Sequence, residues 1–160
     1  MPRMFLIMLV ALLSIPASPT AANTLVVTEA HAGDLVDFEG GFTVHLTGIL
    51  VRGRATQIGR KAFDFTKREL EGKLVAVFTW TTDNTAAGIV LGEDGLAFAK
   101  ISYGKGLSID IAVELLERGL ARVDPDRLPD GYNHYLEIER QAKDQKLGVW
   151  ASPSASRRKP

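Results

Sequence analysis

Apolar and polar residues alternate along the first part of the chain after residue 23. Val36 and Phe38 flank Asp37, and after the tripeptide Glu-Gly-Gly the alternation returns in the run FTVHL. A period of two residues is typical of strands with one buried face, and a Gly-Gly pair between two such runs is typical of a hairpin turn. The pattern therefore predicts strands at residues 24–27, 34–38 and 42–50. The last strand is expected to run directly into a loop.

Three later segments change to the spacing of amphipathic helices, at residues 57–71, 107–120 and 132–150. In the second, Ser108 is the expected N-cap and Gly119 the expected end. The third is expected to end near Gly148. The apolar residues that define the first two helices are Ile58, Ala62, Phe65 and Leu70, and then Ile111, Leu115 and Leu116.

Short strands are predicted between these helices, at residues 73–80, 89–91, 96–103 and 121–123. Many short strands with interleaved helices favour an α+β domain built as a small barrel with helical caps. We place this single domain at residues 23–150 and expect the small, polar and basic segment 151–160 to be a disordered tail.

The first 22 residues have the layout of a secretory signal peptide. Arg3 gives a charged start, residues 4–15 are apolar apart from Ser14, and small residues follow up to Ala22. We therefore expect cleavage after Ala22 and export to a periplasm or to the medium. The alternative is an uncleaved membrane anchor, which the short apolar run disfavours because a spanning helix needs about 20 residues. No stable membrane span is expected after cleavage.

The charge balance argues against a protein that binds nucleic acid through contacts with the phosphate backbone. The chain has 19 Lys and Arg residues and 19 Asp and Glu residues, and loss of Arg3 with the signal peptide leaves 18 basic residues. Tight non-specific binding of nucleic acid normally needs a basic excess, so this partner is not favoured by charge. The chain also has no cysteine, which excludes disulfides, thiol catalysis and cysteine-ligated zinc.

Six motifs, in order along the chain, resemble those of the staphylococcal-nuclease-like (thermonuclease-like) family. The shorter ones are AGDLV, VHLTGI and DGLAFAKI, which resemble DGDTV, VRLxGI and YGRxLAxV. The longer ones are GRKAFDFTKRELEGKLVAVF, AVELLERGLARV and YLEIERQAKDQKLGVW. Each motif is weak alone, but six in the right order are specific. The resemblance implies the family's α+β fold, an OB-type five-stranded β-barrel with three helices.

The resemblance also implies calcium-dependent cleavage of phosphodiesters. In the family, carboxylates of the DGD turn and of the loop after VRLxGI bind the ion, and a glutamate in that loop is the general base. Two arginines stabilise the phosphate in the transition state. A hard cation needs several oxygens, and the developing negative charge needs fixed positive donors. Asp34 matches the second aspartate of the turn, whereas Ala32 replaces the first.

The other matching positions carry residues of different chemistry. His45 stands at the first arginine, Gly53 at the glutamate base and Leu96 at the second arginine, and Leu50 replaces the second metal-binding aspartate. An imidazole lacks the two-pronged hydrogen bonding of a guanidinium group. A single carboxylate also holds calcium poorly against water. We therefore expect no cofactor, and calcium only if nuclease activity persists.

The remaining polar residues also have simpler interpretations. Asp34 suits a turn in which its carboxylate accepts local backbone N–H groups, and His45 suits a polar lining position without a partner carboxylate. Arg52 and Arg54 belong to a modest basic cluster with two cations of the next helix. That cluster is either a solvated helix entrance or a binding patch.

We favour the hypothesis of an exported, catalytically degenerate nuclease-like domain that acts as a binding or assembly module for a protein partner. The alternative is an active calcium-dependent phosphodiesterase with rearranged site residues, drawn from Arg52, Arg54, Glu93 and Asp94. A third hypothesis, weak binding of single-stranded nucleic acid, is disfavoured by the balanced charge and the few aromatic residues on the strands.

Overall fold

The computed structural model describes residues 23–79 and 97–151. Within these ranges the strands are β1 Asn23–Ala32, β2 Leu35–Phe38, β3 Phe42–Leu46, β4 Ile49–Val51, β5 Leu74–Thr79, β6 Ala97–Tyr103, β7 Ile109–Asp110 and β8 Ala121–Val123. The α-helices of the same ranges are α1 Gln57–Leu70, α2 Ile111–Glu117 and α3 His134–Asp144. Single turns of 3-10 helix lie at Lys105–Leu107, Pro125–Arg127 and Gly148–Trp150.

Five of these strands close into a barrel. Antiparallel pairs join β3 to β2, β2 to β1, β1 to β5 and β5 to β6, and a parallel pairing of β3 with β6 completes the ring. The predicted α+β fold, an OB-type five-stranded barrel with three helices, is therefore confirmed. β7 pairs with the last two residues of β6, and β4 pairs with β8 as a separate two-stranded ribbon.

The core lies inside the barrel and under the helices, as the alternating pattern predicted. Val36, Phe38 and Val44 are buried, whereas the intervening Thr43 is exposed. Burial of such side chains contributes about 25 cal/mol per Å² of apolar surface removed from water. The helices add a second set of buried residues to the same cluster: Ala62, Phe65, Leu70, Ile111, Leu115, Leu116 and Tyr135.

The predicted strand at residues 42–50 is two strands rather than one. β3 ends at Leu46, and Gly48, with a φ of 72°, turns the chain before β4 begins. A Cβ atom at Gly48 would lie 3.3 Å from the Tyr135 ring and 3.1 Å from the Leu128 side chain, so the turn also packs closely. Ile49 is buried like Leu46, which conceals the break from the hydrophobic pattern. The turn redirects β4 away from the barrel and onto β8.

The second helix is shorter than predicted. It begins at Ile111 because Asp110, and not Ser108, is its N-cap. The Asp110 carboxylate accepts the N–H of Ala112 at 2.9 Å, whereas the Ser108 hydroxyl donates to the Lys105 carbonyl at 3.2 Å. Both residue types are good N-caps, so sequence preference alone does not separate them.

The third helix covers residues 134–144 instead of 132–150. After it the chain turns through Lys146 and Gly148, both of positive φ, into the 3-10 turn that ends at Trp150. The backbone N–H of Val149 donates to the Gly119 carbonyl at 2.8 Å, which ties this segment to the end of α2.

The loop between β4 and α1 is held tightly against the helix. Thr56 caps α1 by accepting the N–H of Gly59 at 3.0 Å, and its hydroxyl donates to the Gly53 carbonyl at 2.9 Å. A Cβ atom on Gly59 would lie 2.2 Å from the carbonyl oxygens of both Arg52 and Gly53. The loop can therefore pack this closely against α1 only because residue 59 has no side chain.

Some predicted features lie outside the described residues. They are the signal peptide at 1–22, the strand at 89–91, the charged residues Glu93 and Asp94, Leu96 and the tail beyond Ala151. In the ranges 23–79 and 97–151, no helix combines the length and the apolar character needed to cross a membrane.

The close approach at Gly59 predicts an unusual glycine-to-alanine effect. Alanine normally stabilises a helix interior by about 1 kcal/mol relative to glycine. We expect Gly59→Ala instead to lower the free energy of unfolding by about 2–4 kcal/mol, because backbone atoms must move. Urea unfolding followed by circular dichroism measures this. The matched control is Gly53→Ala, where no atom lies within 4 Å of the added Cβ and a change below about 0.5 kcal/mol is expected. Equal stability of the two variants would contradict the packing described here.

Candidate functional site

Asp34 lies in the turn between β1 and β2, and this turn is fixed from two sides. The Leu46 backbone N–H donates to the Asp34 carbonyl at 2.8 Å, and the buried Thr66 hydroxyl of α1 donates to the Gly33 carbonyl at 2.7 Å. A Cβ atom at Gly33 would lie 2.7 Å from the Ala62 Cβ. The turn is thus clamped between β3 and α1, which sets the position of the Asp34 carboxylate.

The Asp34 carboxylate is half-buried, and burial raises its pKa above the ordinary value of 3.8. Three contacts act in the opposite direction by favouring the ionised form: the positive charge of His45, and the backbone N–H groups of Asp34 and Val51. The turn-forming interpretation of Asp34 therefore agrees with its contacts. His45 was expected to lack a carboxylate partner, whereas the structure brings it into electrostatic contact with Asp34.

His45 begins a stack of side chains that the sequence did not reveal. It pairs with Phe98 across the parallel β3–β6 contact, and the two rings are stacked with centroids 5.3 Å apart. The Arg127 guanidinium lies over the Phe98 ring, 4.8 Å from its centroid. Asp124, which is buried, holds Arg127 through an ion pair of 3.3 Å.

An open cleft of about 320 Å³ borders this stack, lined by Thr47, Phe98, Arg127, Leu128 and Pro129. The Thr47 hydroxyl donates to the Arg127 carbonyl at 3.0 Å, which joins the segment after β3 to the loop after β8 at this cleft. Sequence reasoning missed these residues. Its only signal was the outward position of Phe98 in a predicted strand, because neither the parallel register nor the loop path is encoded in a local pattern.

Leu50 and Gly53 occupy exposed positions beyond the Asp34 turn. The Leu50 residue is 50% exposed, which is high for a large apolar residue in a strand. Gly53 is also exposed, and no atom lies within 4 Å of the place where its Cβ would stand. Neither position offers a carboxylate or another side-chain donor.

The two arginines of the loop, grouped together by the sequence, have different environments. The Arg54 guanidinium packs 3.7 Å from the Phe63 ring centroid and donates to the His31 carbonyl at 3.2 Å. The Arg54 guanidinium is therefore held between α1 and β1. Arg52 is exposed, and among the described residues it has no hydrogen-bond or ion-pair partner through its side chain.

The residues around Asp34 do not fit a calcium ion. Calcium takes about six to eight oxygen ligands. Asp34 supplies one carboxylate, His45 supplies nitrogen and Leu50 supplies no donor. In the part of the chain that the structure describes, no three His, Cys, Asp or Glu side chains are grouped so that they could hold a metal ion. Leu96, which the sequence resemblance assigns to the second arginine, lies outside the described residues.

The family model of the staphylococcal nuclease homologues matches residues 43–152, which is more than half of the chain. The chain belongs to this family. Its closed mixed barrel with three helices agrees with that assignment, and the predicted resemblance to the family is confirmed, although the first motif, AGDLV, precedes the matched residues. A search of curated proteins found no match.

The raised pKa of Asp34 in this nuclease homologue predicts how stability depends on pH. A carboxyl group whose pKa is higher in the folded than in the unfolded state binds its proton more tightly when folded. Its contribution to stability is then fully present below the unfolded pKa of about 3.8 and is lost as pH rises through the folded pKa. We therefore expect Asp34→Asn to be more stable than the wild type at pH 7 and to lose this advantage at pH 3.

Two measurements check this expectation. Urea unfolding at both pH values gives the difference in stability, and a carbon-13 NMR titration gives the Asp34 pKa directly. His45→Ala should raise the pKa further, because the positive imidazolium that lowers it is removed. An Asp34→Asn protein that is less stable than the wild type at pH 7 would show that the ionised carboxylate stabilises the fold.

Proposed function

We propose that this nuclease homologue is exported and does not cleave phosphodiester bonds, and that it serves as a binding or assembly module in the cell envelope or outside the cell. The observation that carries the proposal is Leu50. It stands where the family resemblance implies a metal-binding aspartate, and it presents a half-exposed apolar side chain there. An aliphatic side chain cannot replace a carboxylate as a ligand for a hard cation.

The position of the general base supports the same conclusion. Gly53 has no side chain, and open space surrounds the place where a glutamate would extend. Loss of a positioned acid–base group typically costs about 10²-fold or more in rate. His45, which the resemblance assigns to the position of an arginine, is stacked on Phe98. An imidazole lacks the two parallel N–H donors with which a guanidinium group binds a phosphate.

The proposed location rests on the N-terminal sequence. A charged start, an apolar segment and small residues up to Ala22 are typical of a cleaved signal peptide. We infer a protein partner, because 19 basic and 19 acidic residues leave no general excess that would attract nucleic acid.

One observation favours the alternative of a phosphodiesterase with rearranged residues. Arg127 presents a guanidinium group at the cleft next to the stack of Phe98 and His45, and a phosphate bound there would meet a fixed cation. The carboxylate beside this guanidinium is that of Asp124, which is buried and already paired with Arg127. This arrangement differs from the one implied by the family motifs.

The decisive test is cleavage of fluorogenic single-stranded DNA and RNA by the exported form of the chain, expressed with its own N-terminus. We expect no cleavage above the blank with chelator when calcium is present, and no calcium binding in calorimetry. The mass of the purified protein reports whether residues 1–22 were removed. Cleavage that chelator abolishes, and that Asp34→Ala also abolishes, would overturn the proposal in favour of a rearranged nuclease.

A gain-of-binding variant provides the matched comparison. Ala32→Asp with Leu50→Asp adds carboxylates at the two positions that the resemblance groups with Asp34, and we expect calcium binding to become measurable by calorimetry because a hard cation needs several oxygen ligands. The control pair Ala32→Asn with Leu50→Asn adds no charge and should bind calcium at least about tenfold more weakly. If the doubly carboxylated variant binds no better than the wild type, the positions implied by the resemblance do not form one site.

A further inference from the structure

The outward face of the β4–β8 ribbon carries an exposed apolar residue beside a cation. Leu50 and Arg122 are directly opposite each other in the antiparallel pairing, so their side chains project to the same side. Their chain neighbours Ile49 and Val123 are buried, which confirms that this side faces away from the core. We call Leu50, Arg52, Arg122 and Trp150 the ribbon surface.

Two cations contact the Trp150 ring of this surface. The Arg122 guanidinium lies 4.8 Å from the Trp150 ring, and the Lys143 ammonium approaches the same ring at 4.5 Å. Lys143 is in turn fixed by the Glu139 carboxylate at 2.7 Å. A cation over an indole face is stabilised by the ring quadrupole, so Arg122 is ordered before any partner arrives. Little side-chain entropy is then lost on binding.

The two arginines of the ribbon surface are not neutralised within the described part of the chain. Neither Arg52 nor Arg122 forms an ion pair there, whereas Lys143 is paired with Glu139. Many other cations are paired with carboxylates: Lys67, Arg68, Lys73, Lys100, Arg118, Arg127 and Arg140. The exposed leucine is therefore flanked by positive charge that is free to meet a negative partner.

We infer that the ribbon surface docks an acidic segment of a partner protein. An apolar side chain of that segment would cover Leu50, and its carboxylates would pair with Arg52 and Arg122. The combination of Trp and Arg with a central apolar contact is typical of the residues that dominate protein interfaces. This inference rests on the proposed role as a binding module and names the class of its partner.

The apolar contact favours a protein over a nucleic acid. A phosphate backbone would satisfy the arginines but would leave Leu50 in water, whereas burial of a leucine side chain contributes about 1.5–3 kcal/mol. The chain also lacks the general basic excess of proteins that hold nucleic acid. Leu74 in β5 and Leu136 in α3 are exposed to a similar degree, at 54% and 46%, and provide controls on other elements.

The test uses three fluorescein-labelled probes with the exported form of the chain. The first is a 12-residue peptide of Asp and Glu with a central Leu-Phe pair, the second replaces that pair with Ser-Ser, and the third is a 12-nucleotide single strand of DNA. Fluorescence anisotropy gives each Kd. We expect the first peptide to bind at least about tenfold more tightly than either other probe, because only it can bury Leu50.

Variants assign this binding to the ribbon surface. Leu50→Ser should weaken binding of the first peptide about tenfold, and Arg122→Glu and Arg52→Glu should each weaken it by about fivefold or more. Leu74→Ser and Leu136→Ser, matched to Leu50→Ser in chemistry and exposure, should change Kd by less than about twofold. Arg52→Glu keeps the test valid if Arg122→Glu proves unstable, because the exposed Arg52 side chain has no hydrogen bond or ion pair to lose among the described residues.

Four results would overturn the inference: no binding of the first peptide, equal binding of the two peptides, tighter binding of DNA, or equal weakening by Leu50→Ser and Leu74→Ser. None of them is the result that overturns the proposed function, which is calcium-dependent cleavage of DNA or RNA. A protein that neither cleaves nor binds these peptides would remain a candidate binding module, but with its partner at another surface.

Discussion

The parallel pairing of β3 with β6 is the contact on which the rest of the molecule depends. Without it, both strands would present a row of unpaired N–H and C=O groups. The Thr47 N–H continues the ladder by donating to the Ala99 carbonyl at 3.0 Å. The same register sets His45 beside Phe98, and Phe98 in turn supports Arg127. One pairing therefore closes the core and also arranges the side chains outside it.

Much of the fold could be predicted from the sequence because it follows from local periodicity. The β2–β3 hairpin and the extent of α1 depend on alternation, a Gly-Gly turn and one helical face, all of which can be read within a few residues. The limits of α2 could not be predicted in this way. Ser108 and Asp110 are both suitable N-caps, and the hydrogen bond from the Tyr135 hydroxyl to the Asp110 carboxylate, at 2.8 Å, comes from a distant helix.

The candidate site was predictable only in part, because its side chains are also positioned by contacts between residues far apart in the sequence. Family motifs located Asp34 and His45, but the contact of His45 with Phe98 requires the pairing of two strands far apart in sequence. Arg54 was grouped with Arg52 by proximity in the chain, yet its guanidinium packs on Phe63, which only the position of α1 decides. Side-chain direction in a loop follows from such long-range contacts and not from composition.

The separation of β4 from the barrel has a consequence for how this protein can change over time. Gly48 ends the barrel strand, and the β4–β8 ribbon then lies outside the closed ring of hydrogen bonds. Outward positions such as Leu50 and Arg122 can be exchanged without disturbing that ring or the core behind it. Selection can therefore change the chemistry of this face one substitution at a time, in chains that remain folded throughout.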